Sequence, residues 1–466
     1  NLDENSEWDR TLTDCLYGGD SHYRLCQEVV LGLGGADILE GLGYAEDAQY
    51  HINEGHAALL TLTLLERELA GRSRQDISEA LLERVRRRCI FTTHTPVPAG
   101  HDRFDEAQYK SVLGDDRAQL LVDARAVDDH TLNMTHLALR LSRYVNGVAM
   151  RHREISQGMF PDYPIDSITN GVHALTWTAT PYQELFDRRI PEWRRDNQYL
   201  RYAIDIPLEE ILDAHAATKA ALFDEVQRRT GVKLDLSVLT IGFARRATPY
   251  KRADLIFSDI PRLKAIAERA GKIQLLYGGK AHPRDEGGKA LIKHIFEAAK
   301  ELAPEVQVLY LENYEMDLAA LMTSGVDVWL NNPTKPLEAS GTSGMKAALN
   351  GVPSYSVLDG WWVEGCIDGV TGWSIGAPRS GADDEVADLY VKLERVILPL
   401  FYGNPFSWAR VMRNAIALNG SFFNTQRMVG QYVHNAYFPR PDQRPITVAA
   451  AQNAKEDMQN AWAAVR

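Results

Sequence analysis

The sequence predicts an α/β protein whose second half is built on a parallel β-sheet, and three observations carry the prediction. Runs rich in apolar, β-branched and aromatic residues recur at 237–243, 273–277, 306–311, 326–330 and 354–358. Stretches with helical periodicity separate them, the alternation that yields parallel strands joined by crossover helices. Residues with chemical character fall just after the runs, and in such sheets ligands collect at the carboxyl ends of strands.

Taken in order, Arg245, Arg246 and Lys251 follow the first run, with Pro249 favouring a helix start just before Lys251. Three cations on one loop suit two neighbouring phosphates, although alone they also describe a basic surface patch. Gly278-Gly279-Lys280 follows the second run and Glu312-Asn313-Tyr314 the third. The fourth leads to residues 338–346, Glu-Ala-Ser-Gly-Thr-Ser-Gly-Met-Lys, which gather a carboxylate, backbone donors, hydroxyls and an amine. Helix-friendly Ala347 to Asn350 follow, so the glycines are expected at a helix N-terminus, where free N–H groups favour an anion. Lys346 then falls in the first turn, where the macrodipole disfavours a cation. It therefore requires an anionic partner or a lowered pKa, and the second makes it a candidate imine former. Taken alone, the segment is also an ordinary helix start with a solvated lysine. It is not a P-loop, because Met345 separates Gly344 from Lys346, nor a nucleophile elbow, because Met345 takes the place of the second glycine.

In the first half, 88–93 reads as a strand ending at His94-Thr95-Pro96 and 51–54 as another ending before Gly55-His56. His94 by itself is equally a strand-end histidine satisfied by backbone. Gly32-Leu33-Gly34-Gly35 reads as a connection between helices. A proline-containing crossing, 160–172, ends in the turn Thr169-Asn170-Gly171 and is the expected hinge. The expected domains are 1–170, 171–445 and a terminal helix over 446–466.

With 466 residues, two or more domains are expected. Hydrophobic residues are 45% and charged ones 24%, and no apolar run is long enough to span a bilayer, so a soluble globular protein is expected. A net charge of −12 argues against a nucleic-acid surface, and Arg84, Arg86, Arg87 and Arg88 read as a solvated helix end. Cys15, Cys26, Cys89 and Cys366 show no paired spacing, which points away from disulfides and zinc and toward a reducing cytoplasm. Asn53-Glu54-Gly55 breaks the helical spacing that His51 and His56 would need to share a metal, so no metal site is expected. The opening Asn1-Leu2-Asp3, without initiator Met or signal pattern, suggests a piece of a longer chain.

Together, Glu-Ala-Ser-Gly-Thr ending at Lys346, Arg245-Arg246 followed by Tyr250-Lys251-Arg252, Thr93-His94-Thr95, Thr169-Asn170-Gly171, Gly278-Gly279-Lys280 and Glu312-Asn313-Tyr314 resemble the α-glucan phosphorylases. These are the pyridoxal-phosphate enzymes of glycogen, starch and maltodextrin. The motifs stand in the family's order across most of the chain. The resemblance implies two Rossmann-like domains facing a central cleft, a GT-B-like fold, with the first only partly present. It implies phosphorolysis of terminal α-1,4-linked glucose to glucose 1-phosphate with retention, with α-glucan and inorganic phosphate as partners and a homodimer as the usual state.

By this resemblance Lys346 would carry pyridoxal 5'-phosphate as an imine, Tyr314 and Trp177 would line the cofactor, and Arg245 and Thr342 would contact its phosphate. Arg246 and Lys251 would bind substrate phosphate. Glu338, Ser340, Gly341, Asn170, His94 and Tyr250 would hold the terminal glucose, with the His94 carbonyl stabilising an oxocarbenium-like state. No glycosidase-type carboxylate pair is then required. Two departures stand out. Arg245 replaces the lysine of many relatives, and the family's Gly-Asn-Gly-Gly-Leu-Gly phosphate loop has no counterpart, Gly32 to Gly35 lying in a different context. The alternatives are a sugar-nucleotide glucan synthase of the same architecture, in which Lys346 needs no imine, and an inactive glucan-binding fragment.

Overall fold

The computed structural model describes residues 2–14, 19–44, 48–97, 100–281 and 285–438. The expected terminal helix over 446–466 lies outside the described residues, as does Cys15. Two compact units divide the chain. One holds residues 1–148, 152–168 and 432–466, the other 149–151 and 169–431.

The first unit carries a four-stranded parallel sheet in the order β1 (Tyr50–Asn53), β2 (Cys89–Thr92), β6 (Tyr144–Gly147), β7 (Asp166–Ser167). A small antiparallel sheet of β3 (Arg103–Asp105), β5 (Thr131–Asn133) and β4 (Val127–Asp128) accompanies it. Strand β2 is buried at all four residues and stands between β1 and β6, pairing Ile52 with Phe91 and Phe91 with Val145. Helices Leu60–Glu68 and Glu79–Arg88 add Leu62, Leu64, Leu65, Leu81 and Val85 to this core. The run at 88–93 and that at 51–54 become β2 and β1, whereas β6 and β7 went unread. Asn146 and Gly147 weaken the strand pattern of β6, and β7 is a two-residue edge inside the expected hinge.

Two expectations are corrected here. Gly32 to Gly35 do not connect separate helices: Ser21–Val29 runs through a wider π turn at Val30–Gly34 into Gly35–Gly41. A side chain on Gly32 would meet Leu59 Cβ and the Leu60 amide nitrogen at 2.9 Å, so this glycine admits close approach of the next segment. The chain also returns to the first unit at Tyr432, ahead of the expected boundary at 445. Tyr432 stacks on Tyr437, its hydroxyl lies 3.1 Å from Thr92 Oγ1 and accepts from Asn146 Nδ2, and the Tyr437 hydroxyl lies 2.8 Å from His51 Nδ1.

The second unit is built on six parallel strands, β8 (Leu239–Ala244), β9 (Ile273–Gly278), β10 (Val306–Leu311), β11 (Val328–Asn331), β12 (Ser354–Val357) and β13 (Gly372–Ile375). Their spatial order is β10-β9-β8-β11-β12-β13, the doubly wound order in which strand succession reverses between β8 and β11. All residues of β8, β9, β11, β12 and β13 are buried, which explains why the sequence shows continuous apolar runs rather than alternation. Only β13, four residues beginning with glycine, had escaped the reading. The 23-residue helix Leu208–Thr230 is fastened beneath the sheet by a buried ionic cluster. Lys219 Nζ lies 2.6 Å from Asp327 Oδ2, His215 Nε2 lies 2.9 Å from Oδ1, and the Thr240 amide donates to Oδ2 at 2.7 Å.

Candidate functional site

The reversal between β8 and β11 opens a crevice at the strands' carboxyl ends, and the loops leaving both strands meet there. A small recess there is lined by Arg245, Glu338, Ser340, Gly341, Ser343 and Asp359, among others. Its centre is Glu338, 8% exposed, whose Oε2 lies 2.6 Å from both Arg245 Nη2 and Lys251 Nζ. Burial alone would raise the carboxyl, but the two cations outweigh it and hold Glu338 below its ordinary value. Lys251, itself buried and facing Arg245, is pushed down to about 8 despite its bond to Glu338. The Lys251 ammonium also sits 4.3 Å from the centre of the Tyr250 ring. Burial and then the Glu338 charge push the Tyr250 phenol up.

Gly279 makes this arrangement possible. Its φ is +144°, and a Cβ there would lie 2.0 Å from the Arg245 carbonyl oxygen. Glycine lets the loops after β8 and β9 join through Arg245 N–H to Gly278 O and Ala247 N–H to Lys280 O, each 3.1 Å. Tyr314 reaches the same place from the loop after β10, since a Cβ on Gly278 would come within 2.9 Å of its ring. Burial pushes its phenol up to about 12. Arg246, by contrast, is exposed and forms no ion pair among the described residues.

The segment 338–346 turns at Gly341 and enters the helix Ser343–Ala348. Ser340 O accepts from Trp361 N–H at 2.8 Å, Ser343 Oγ from Trp329 Nε1 at 3.0 Å, and Thr342 O from Lys346 N–H at 3.2 Å. With only six residues, this helix has a small macrodipole, so burial rather than the dipole sets the environment of Lys346. The cationic side chains beside the segment are those of the β8 loop, where Arg245 and Lys251 meet Glu338. Lys346 is half-buried, and its Nζ stands 3.5 Å from the centre of the Trp177 ring without a carboxylate partner among the described residues. Burial lowers its pKa, so the altered-pKa alternative is realised rather than an anionic partner.

Asn170 presents its carbonyl to Arg427 Nη2 at 3.0 Å, and the same guanidinium donates to Thr169 O at 2.6 Å. His94 belongs to the first unit. Its backbone N–H donates to Glu54 Oε2 at 2.6 Å and its Nε2 lies 2.7 Å from Asn53 Oδ1. Burial, then the neighbouring histidines 152, 51 and 56, push the ring down to about 4, so it is neutral at pH 7. His56 is drawn elsewhere, to Glu28 and Asp102, whose ligand-type atoms with its own lie within 4.8 Å of one another. Arg24 reaches into that group, its guanidinium bonded to Asp102 and to the His56 ring.

Two residues escaped sequence reading. Asp359 ends the β12 segment, 3% exposed, and accepts from the backbone N–H groups of Glu338 at 2.9 Å and Gly360 at 3.0 Å. Burial pushes its carboxyl up to about 6. The strand-end rule applied to the run at 354–358 finds it. Asn350, fully buried, had no such signal.

The carbohydrate phosphorylase family profile matches residues 101–367, more than half of the chain and most of the second unit's crevice. This chain belongs to the carbohydrate phosphorylase family. Among its relatives, maltodextrin phosphorylase of Thermococcus litoralis is 39% identical over 473 residues, covering 93% of this chain and 56% of the relative. Glycogen phosphorylase of Aquifex aeolicus is 37% identical, covering 94% and 69%, and that of Mycobacterium tuberculosis 36%, covering 98% and 59%. This family member therefore spans between 56% and 69% of the length of these relatives. Among its described residues no helix is long and apolar enough to cross a membrane.

Proposed function

We propose that this chain is the cofactor-bearing portion of an α-glucan phosphorylase, acting on terminal α-1,4-linked glucose with inorganic phosphate to release glucose 1-phosphate with retention. The observation that carries the reading is the Lys346 amine, lowered in pKa by burial, set against Trp177 and free of any acidic partner among the described residues. That is the state a lysine needs to react with an aldehyde. Family membership and relatives named for glycogen and maltodextrin support the substrate class.

The residues fit pyridoxal 5'-phosphate. Lys346 offers the attachment point, Trp177 and Tyr314 apolar walls, and Arg245 with Thr342 donors for a phosphate. When bound, the cofactor supplies a phosphate that takes part in proton transfer. Arg246, exposed and unpaired among the described residues, and Lys251 bind the substrate phosphate. Glu338 accepts from sugar hydroxyls while Ser340, Gly341, Asn170 and Tyr250 complete the glucose pocket. The reading further takes the two units as the Rossmann-like domains of a GT-B-like fold, the first only partly present, in a cytoplasmic homodimer.

The test is intact mass and peptide mapping of the full-length protein after borohydride treatment with pyridoxal phosphate, alongside phosphate-dependent release of glucose 1-phosphate from maltodextrin. A single adduct on Lys346 together with phosphate-dependent product is expected. An adduct on another lysine, or none, overturns the reading.

A further inference from the structure

One buried amide ties together the backbone on both sides of the Lys346 amine. Asn350 is completely buried, and all its hydrogen-bonding is spent on the ends of three helices. Its Nδ2 donates to Trp177 O at 2.7 Å and to Lys346 O at 3.0 Å, while its Oδ1 accepts from Ala179 N–H at 2.7 Å. Trp177 closes the short helix Ala174–Trp177, Lys346 belongs to Ser343–Ala348, and Ala179 caps Thr180–Arg189. Helix-terminal carbonyls lack partners within their own helix, and a shared donor both satisfies and spaces them.

We propose that Asn350 is a positioning residue for Lys346, holding the lysine backbone and the Trp177 backbone at a fixed separation so that the amine is presented against the indole. Without it, two short helices of four and six residues have no other side chain linking Trp177 O to Lys346 O among the hydrogen bonds of the described residues. The lysine chain has four rotatable bonds, so its reach does not fix the amine unless its root is fixed. The inference takes its functional meaning from the reading above, and its geometry stands apart from it.

A cap that only stabilises would lower the melting temperature and leave the amine as it was. The test therefore reads the amine itself in the full-length protein. Competitive labelling of Lys346 with acetic anhydride across pH, normalised to other lysines by peptide mapping, gives its titration midpoint without any cofactor. Two variants are compared below their melting temperatures. Asn350→Ala removes all three bonds. Ala179→Pro removes only the N–H donor, and Ala179 already has a φ of −67° with Thr178 extended before it, a backbone that proline accepts. The expected result is a rise of the Lys346 midpoint by about one pH unit toward that of an ordinary lysine, a tenfold loss of neutral amine, larger in Asn350→Ala. An unchanged midpoint in both folded variants, or in Ala179→Pro where Asn350→Ala does not fold, overturns the inference. A wild-type protein that forms no trapped adduct with pyridoxal phosphate while its midpoint still shifts in the variants removes the phosphorylase reading and leaves the positioning role standing.

Discussion

The Nζ of Lys251 lies 2.6 Å from Oε2 of Glu338, although the two residues are 87 positions apart in the chain. One comes from the loop after β8 and the other from the loop after β11, so their meeting marks the point where strand order reverses. Arg245 completes a buried group of two cations on one carboxylate oxygen. The charge balance of the recess therefore rests on Glu338.

Glu338→Gln keeps the size but weakens the acceptor for both cations and for a sugar hydroxyl. A hydrogen bond to a charged group contributes about 1.5–3 kcal/mol, much of it realised in the transition state if the ring is held most rigidly there. Turnover in phosphorolysis should fall roughly ten- to a hundredfold with pyridoxal phosphate still trapped on Lys346. Steady-state kinetics and melting of the same sample check this; unchanged turnover per folded molecule would remove Glu338 from the site.

Arg246→Ala changes an exposed side chain with no ion pair among the described residues, so the melting temperature should stay within about 1 °C of wild type. The KM for phosphate should rise about tenfold or more, with cofactor loading intact. Loss of cofactor at unchanged phosphate kinetics would mean that the two anion assignments are exchanged.

Asp359 should leave a signature in stability against pH. Its carboxyl is raised to about 6 in the folded protein from a usual 3.8, so between those values the folded state binds more protons than the unfolded one. The contribution is present below about pH 4 and is lost as pH rises through about 6. In Asp359→Asn this fall disappears. The wild-type minus variant difference in unfolding free energy should thus decline by about 1–3 kcal/mol from pH 4 to pH 7. Denaturant titrations of both proteins at several pH values measure it, and a flat difference would refute the assignment.

Asp327→Asn leaves Lys219, 4% exposed, without its carboxylate and should cost about 3–5 kcal/mol. Lys219→Met leaves Asp327 still held by His215 and the Thr240 N–H, and should cost less. Urea unfolding of the two variants decides it; equal costs would mean that His215 and the Thr240 N–H do not compensate Asp327 for the loss of Lys219.

How much was legible follows a physical division. Five of the six strands of the large sheet were visible as runs rich in apolar, β-branched and aromatic residues, four of them buried at every position, whereas β13, equally buried, is only four residues long and begins with glycine. Their carboxyl ends then pointed to Arg245, Lys251, Glu338 and Lys346 by rule. The helix at Lys346 was visible too, but its length was not, and with six residues the cause of the lysine's altered chemistry passes from a dipole to burial.

What the sequence by itself determined is the list of chemical groups and the end of the sheet on which they stand, because strand burial and loop position are local properties of the chain. Tertiary structure alone decided which of them touch. That Glu338 takes both Arg245 and Lys251, that Asp359 holds the Glu338 amide, and that Asn350 reaches Trp177 across 173 positions to join it to Lys346 all depend on strand order. A buried polar side chain finds its partner in space, and nothing in its sequence neighbours encodes an atom supplied by a distant turn of chain.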